Sequence, residues 1–270
     1  REVVSSSRKL YQGDATGLGY FDALDLYDPT PPITTMRLPM FDEVNGLGPD
    51  VADDPRTGNT LLFVRESDAA PAIADAATGK QRYIDTYRFV CIYIAETKRV
   101  ILDDGNRQPA RDLIFWRSIA YPSHGQIANI SDPVERANVV KDLYERFGYE
   151  YAWDAGKDVD SAFFAIDSSG TMSTTPEADL RIELDMDMVE RGKLVYANTQ
   201  LARTNNASHP RRAIFTVDDP GVWKPDGLEV KIAGASGSRK VWVHLVIETQ
   251  AAKGKVATHA STVISSTKDL

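Results

Sequence analysis

The 270-residue chain contains a single cysteine, Cys91, and that scarcity removes several classes of protein at once. One thiol cannot close an intramolecular disulfide or supply a zinc site of several thiolates. It lies in the apolar run Phe89-Val90-Cys91-Ile92-Tyr93-Ile94 and reads as a small buried hydrophobe, with no basic neighbour to lower its pKa. No apolar stretch of about 18 residues occurs, so nothing within the chain has the length to span a bilayer as a helix. A dense basic patch is missing too: the formal charge is -8, and Arg211-Arg212 is a pair rather than a cluster. A nucleic-acid surface is therefore not expected, because phosphate affinity comes mainly from grouped Lys and Arg.

Motifs of chemistry are equally scarce. The four histidines, His124, His209, His244 and His259, are far apart, and no HExxH places two of them on one helix face. Neither GxGxxG nor GxxxxGK[ST] is present to cradle phosphates. Gly234-Ala235-Ser236-Gly237 misses the nucleophile elbow by one residue and precedes a strand, which makes it a turn. His244 falls opposite Val243 and Leu245 in an alternating run and is expected on a strand surface, whereas His124, in Tyr-Pro-Ser-His-Gly, is expected to be structural. Two glycosylation patterns, Asn129-Ile130-Ser131 and Asn206-Ala207-Ser208, are too short to carry weight alone.

What the chain does have is a 42% hydrophobic composition, enough for a substantial core without metal or disulfide help. Strand signals dominate: Thr60–Arg65, Arg82–Ala95, Thr97–Leu102, Asp112–Ile119, Ala162–Ile166, Leu180–Val189, Ala213–Val217, Leu228–Ile232 and Lys240–Glu248. Helices do not alternate with them, so the sheet is expected to be mainly antiparallel. Asp103-Asp104-Gly105-Asn106 predicts a hairpin with a loop longer than two residues. Strand alternation predicts a core of Phe63, Phe89, Cys91, Tyr93, Ile114, Trp116, Val241, Val243 and Leu245.

Two helices are predicted. Asp132-Pro133-Val134-Glu135 supplies an N-cap, a first-turn proline and a glutamate three residues after the cap, so a helix is placed at 132–147 and stopped by Gly148. Its apolar stripe is Val134, Ala137, Val140, Leu143, Tyr144 and Phe147. Val3, Val4, Leu10 and Tyr11 share a helical stripe within 1–12, which predicts the tail of a longer helix. Between them, Gly13–Asn59 is a long Gly/Pro/Asp-rich segment in which Tyr20, Phe21, Leu24, Met36, Leu38 and Phe41 are expected to lie against the core. The predicted class is α+β: a helix stub at 1–12 packed on a single β-rich domain at 13–270.

Three acidic loops have the oxygen-rich character that suits calcium: Asp50/Asp53/Asp54, Asp154/Asp158/Asp160 and Asp218/Asp219/Asp226. Asp154, Asp158 and Asp160 are the leading candidate because three carboxylates fall within seven residues. No catalytic residue and no other cofactor is assigned.

Taken together, the polar helical tail Arg1–Leu10, the run Gly58-Asn59-Thr60-Leu61-Leu62-Phe63-Val64, the strands Tyr87–Ile94 and Asp112–Ser118, and the ending from Arg239–Glu248 through Val256-Ala257-Thr258 and Thr262-Val263-Ile264-Ser265 resemble the globular domains of PilW-like type IV minor pilins. They are similar also to the J-type pseudopilins of type II secretion. The resemblance implies a non-enzymatic filament subunit that acts in assembly or at the tip. It would have other pilin or pseudopilin subunits as partners and a membrane anchor in a hydrophobic N-terminal helix upstream of Arg1. The chain starts with Arg rather than Met, so such a segment is expected to have been removed. The implied location is periplasmic or extracellular, attached to the envelope. A secreted or virion-surface β-domain that binds a ligand is the alternative, and a hydrolase the third.

Overall fold

The structure is a computed structural model. It describes residues 7–13, 36–51, 53–74, 79–103, 106–157, 162–174, 190–191, 214–215, 227–251 and 254–266. The class is α+β with a mainly antiparallel sheet, as the strand patterns predict.

Its spine is one sheet built on β1 (Ser7–Leu10), β3 (Leu61–Glu66), β6 (Thr86–Asp103), β7 (Asn106–Arg117) and β12 (Glu190–Arg191), in that order, with β8 (Tyr121–Pro122) beside the start of β6. The strands of this sheet carry apolar side chains on both faces, the signature of a sheet covered on two sides. Leu62, Val64, Phe89, Cys91, Tyr93, Ile114 and Trp116 form one core; Leu61, Phe63, Val90 and the flanking Ile92, Ile94, Leu113 and Phe115 belong to the other.

The second core is closed by a sheet ordered β15 (Gly254–Ser266), β14 (Arg239–Ala251), β13 (Leu228–Ala233) and β2 (Phe41–Asp42), in which only β2 and β13 are parallel. Leu228, Val230, Ile232, Val241 and Ile264 are buried there, with Val243 and Leu245 partly buried against them. The first core is covered by β9 (Tyr151–Trp153) and β10 (Phe163–Ile166), which belong to a small sheet in which β10 pairs with β9 on one side and β11 (Met172–Thr174) on the other. Phe89 is its hub: ring centroids of Tyr11, Tyr121, Trp153 and Phe163 lie 6.1, 5.9, 5.6 and 5.9 Å away. All nine predicted core residues therefore lie in or against one of the two cores.

A third cluster joins the small sheet to the hairpin of β4 (Ala72–Ala74) and β5 (Gln81–Tyr83) and to helices α1 (His124–Ala128) and α2 (Pro133–Glu145). Asp132 caps α2 by accepting from the Val134 N–H at 2.9 Å, as its sequence predicts. Glu135, however, does not turn back to complete a capping box; it accepts from Arg82 Nε at 3.0 Å and ties the helix to β5. The buried stripe is Val139, Val140 and Leu143, while Val134 is 68% and Phe147 38% exposed. Gly148, at φ 71°, ends the helix as expected, its N–H and that of Tyr149 closing on the carbonyls of Tyr144 and Leu143.

Three expectations need correction. Ser7–Leu10 is an edge strand, not the tail of a helix: it pairs antiparallel with Phe63–Arg65, and the Arg8–Glu66 ion pair fastens it. Leu10 enters one core and Tyr11 the other, so the two apolar neighbours serve the alternation of a strand. Val3 and Val4 lie outside the described residues. The β6–β7 hairpin pairs Asp103 with Asn106, so its loop has two residues, the length that Asp-Gly favours. Within the irregular segment, Leu38 is buried and Met36 and Phe41 pack against the cores as expected; Tyr20, Phe21 and Leu24 fall outside the described residues, as do Leu180–Val189 and most of Ala213–Val217.

Candidate functional site

β13 sets the site. In Leu228-Glu229-Val230-Lys231-Ile232-Ala233, Leu228, Val230 and Ile232 enter the second core, and alternation sends Glu229, Lys231 and Ala233 to the opposite face. That face is covered too, and all six residues are buried. The cover comes from the irregular 36–59 segment and from Ile214-Phe215. Gly58 exchanges two backbone hydrogen bonds with Val230, at 2.9 and 2.8 Å, while Phe41 and Asp42 pair in parallel with Ile232 and Ala233.

This crossing brings two acidic side chains onto one lysine. Lys231 is 0% exposed, and its Nζ lies 2.9 Å from Asp50 Oδ1 and 3.2 Å from Asp42 Oδ2, both carboxylates being almost fully buried. The second oxygen of Asp50 accepts the Thr57 N–H at 3.0 Å. Asp42 Oδ1 accepts the N–H groups of Val44 and Asn45 at 3.2 and 2.7 Å, but its Oδ2 has no hydrogen bond of ordinary geometry. Burial pushes the Asp42 carboxyl up, yet the Asn45 N–H, the Lys231 ammonium and the Val44 N–H together outweigh it and hold the group below the ordinary aspartate value. The Phe215 ring lies 5.8 Å from Nζ, and Glu229 secures that segment by accepting from the N–H groups of Ile214 and Phe215.

Beside this buried centre lies an open groove of about 500 Å³, walled by Asp42–Leu47 on one side and by Ala233, Gly234, Ser238 and Lys240 on the other. Arg239 flanks it, its guanidinium 3.7 Å over the Phe41 ring and donating to the Gly234 carbonyl. Gly234-Ala235-Ser236-Gly237 is the β13–β14 turn, with positive φ at both glycines. His244, on the same outer face of the sheet as Lys231, is buried rather than at a surface, and its Nδ1 lies 2.6 Å from Ser261 Oγ on β15. It does lie on the face opposite Val243 and Leu245, as alternation predicts, but that face is itself covered.

The leading calcium candidate is only partly in view. Asp154 follows β9, and its oxygens are engaged by His124 Nδ1 at 3.1 Å and by the Gly156 N–H at 2.9 Å; Asp158 and Asp160 lie outside the described residues. His124 opens α1 and stacks on Phe164 at 3.5 Å. In the second loop, Asp50 is committed to Lys231 and Thr57, and Asp54 to Arg56, while Asp218, Asp219 and Asp226 are outside the described residues. Among the described residues, no three His, Cys, Asp or Glu side chains gather into a metal site. Cys91 is buried in the first core as a free thiol, and burial pushes its pKa well up.

Fold and site together define an α+β protein of layered, mainly antiparallel sheets with a buried lysine–dicarboxylate centre beside an open groove. No family model, no curated protein and no solved structure matches the chain.

Proposed function

We propose that this chain is the globular part of a non-enzymatic structural subunit, a minor pilin or pseudopilin, of an envelope-associated filament resembling a type IV pilus. The observation that carries the reading is a pair of long hairpin arms. β6 and β7 continue pairing out to Asp103 and Asn106, and β14 and β15 out to Ala251 and Gly254. Among the described residues, no third strand joins Val100–Asp103, Arg107–Pro109 or Ile247–Ala257. Such arms offer backbone donors and acceptors at their edges, which suits strand-to-strand contact between subunits better than it suits an enclosed reaction site.

The likeness of the strand sequences to PilW-like proteins supports the same reading, and it now rests on those strands, since residues 7–10 form a strand. In this proposal the partners are neighbouring pilin-type subunits, the anchor is a hydrophobic helix upstream, and the globular part is displayed outside the inner membrane. Among the described residues, no helix is long and apolar enough to cross a membrane.

The test is to express the natural precursor and ask whether a prepilin-type peptidase processes it and whether the product appears in sheared filaments. Processing and filament association are expected. An ordinary secretory cleavage, with the product free in the medium and never with filaments, would reject the reading in favour of a secreted binding domain.

A further inference from the structure

We propose that Lys231 and Asp50 become joined after folding by an intramolecular amide bond, with Asp42 as the proton carrier. Three observations at the buried centre lead there. The lysine is wholly shielded from solvent and contacts two shielded carboxylates, so one negative charge remains over after pairing. Condensation would neutralise Lys231 and Asp50 and so remove the desolvation cost of two of the three charges, while the remaining Asp42 carboxylate keeps the Val44 and Asn45 N–H groups as partners. The reacting groups are already in hydrogen-bond contact at 2.9 Å, which gives the intramolecular reaction the advantage of a held geometry. One polar atom, Asp42 Oδ2, is buried 3.2 Å from Nζ and has no hydrogen bond of ordinary geometry, which places it to exchange a proton with the amine.

The two carboxylates differ in ways that assign their roles. Asp42 Oδ1 is bound by two backbone N–H groups that shape the 42–45 turn, which leaves Oδ2 for proton traffic. Asp50 stands closer to the amine, and its Oδ2 accepts the Thr57 N–H, a donor placed where negative charge would build on an attacked carboxyl group. Asp42 relays one proton from the Lys231 ammonium to Asp50 Oδ1, giving a neutral amine and a neutral acid. Nζ attacks Asp50 Cγ and the C–N bond forms. A second proton passes from nitrogen, again by way of Asp42, to the departing hydroxyl; the C–O bond breaks and water leaves. Ammonium plus carboxylate has become amide plus water, Asp42 is again a carboxylate, and no oxidant or cofactor takes part.

Burial also bears on the reverse reaction, since bulk water has no path to a lysine that is 0% exposed. The bond would tie residue 50 to residue 231 across the fold and clamp the irregular segment onto the C-terminal sheet. For a subunit at a mechanically loaded position such a clamp has evident use, but the inference stands on the geometry of the centre and is independent of the pilin proposal.

Mass spectrometry decides the matter. The denatured intact protein should weigh less than its sequence by one water, and trypsin should release Leu38–Arg56 covalently attached to Ala213–Arg239, with cleavage after Lys231 blocked. Fragmentation should put the link at Asp50. Lys231→Met and Asp50→Ala should restore the full mass, and so should Asp42→Asn, which keeps both bonding partners but removes the proton carrier; circular dichroism checks that each variant is folded. Folded wild-type protein that keeps its full mass after prolonged incubation would overturn the proposal, and a water loss mapped to any other pair of residues would do the same. A folded Asp42→Asn protein that still carries the link would overturn the role of Asp42. The wild-type measurement needs no variant, so the test holds even where a substitution prevents folding.

Discussion

Substituting Gly58 by alanine should unseat the segment that brings Asp42 and Asp50 to Lys231. A Cβ at this position would sit 2.3 Å from the Arg37 carbonyl oxygen, 2.4 Å from Pro39 N and 2.7 Å from the Leu38 carbonyl carbon, all of them backbone atoms. None can swing aside like the end of a side chain. The irregular segment 37–39 is held in place by Asn59 and Thr60, whose N–H groups both donate to the Arg37 carbonyl, and on the other side Gly58 is fixed by its two hydrogen bonds to Val230. Relief requires one of these attachments to open. Overpacking of this kind costs about 1–3 kcal/mol, and each lost backbone hydrogen bond adds about 1 kcal/mol. We expect a loss of about 3–5 kcal/mol, which at this chain length lowers Tm by about 2–4 °C for each kcal/mol. Urea and thermal unfolding, followed by circular dichroism, measure it. Gly125→Ala is the control: its Cβ meets nothing within 4 Å, and a helix position gains roughly 0.5–1 kcal/mol when glycine is replaced by alanine. A folded Gly58→Ala protein within about 0.5 kcal/mol of the parent would refute the reasoning about this crossing.

Phe89→Ala should cost about 3–5 kcal/mol, since it removes a fully buried ring around which four other rings are arranged; chemical denaturation checks this, and a change below about 1 kcal/mol would contradict the assigned hub. Asp132→Ala should destabilise by about 0.5–2 kcal/mol through loss of the cap on α2, read most directly as faster amide hydrogen exchange over the first turn. Acid should weaken the fold through Asp42: its folded pKa lies below the unfolded value of about 3.9, so its contribution is complete above that value and is lost as pH falls through the folded pKa. In a pH series of unfolding free energies, wild type should therefore show a steeper fall below about pH 4 than Asp42→Asn, and equal slopes would count against the charged, buried carboxylate.

The sequence was most readable where local chemistry and tertiary surroundings agree. Leu61–Val64, Phe89–Ile94 and Leu113–Trp116 are continuous apolar runs, and such runs require a sheet covered on both faces, which is what the spine is. Asp132, Pro133 and Gly148 fixed α2 because caps and stops act through neighbouring backbone groups alone. The readings failed where a partner distant in sequence decides. Val140, Leu143 and Tyr144 of the predicted stripe do pack into the third cluster, but Val134 and Phe147, at its two ends, are exposed, and Val139 is buried in addition. Glu135 has the spacing of a capping box, yet a guanidinium from β5 is available and a charge-assisted bond to it is stronger than one to a backbone N–H. Leu10 and Tyr11 fit a helix stripe and a strand edge equally well, and only the free edge of Leu61–Glu66 chooses between them.

The buried centre illustrates the same limit in its sharpest form. Glu229, Lys231 and His244 stand at polar positions of alternating strands, and alternation tells which face a residue takes without telling whether that face meets water. The cover is supplied by a segment whose Asp50 lies 181 positions from Lys231, beyond the reach of any periodicity. Asp50 nonetheless stood out in the sequence as one of a group of loop carboxylates with the character of a cation site. A carboxylate led by its loop into the interior must find a positive charge or give up its own. What the sequence did not specify is the source of the charge. An ammonium on a neighbouring strand satisfies it as well as a metal ion does, and with an important chemical difference: unlike calcium, an amine can form a bond to the carboxylate and cancel both of their charges. The lysine therefore turns a stability problem into a reactive arrangement, and the mass of the folded protein is the quantity that separates a buried ion pair from a buried amide.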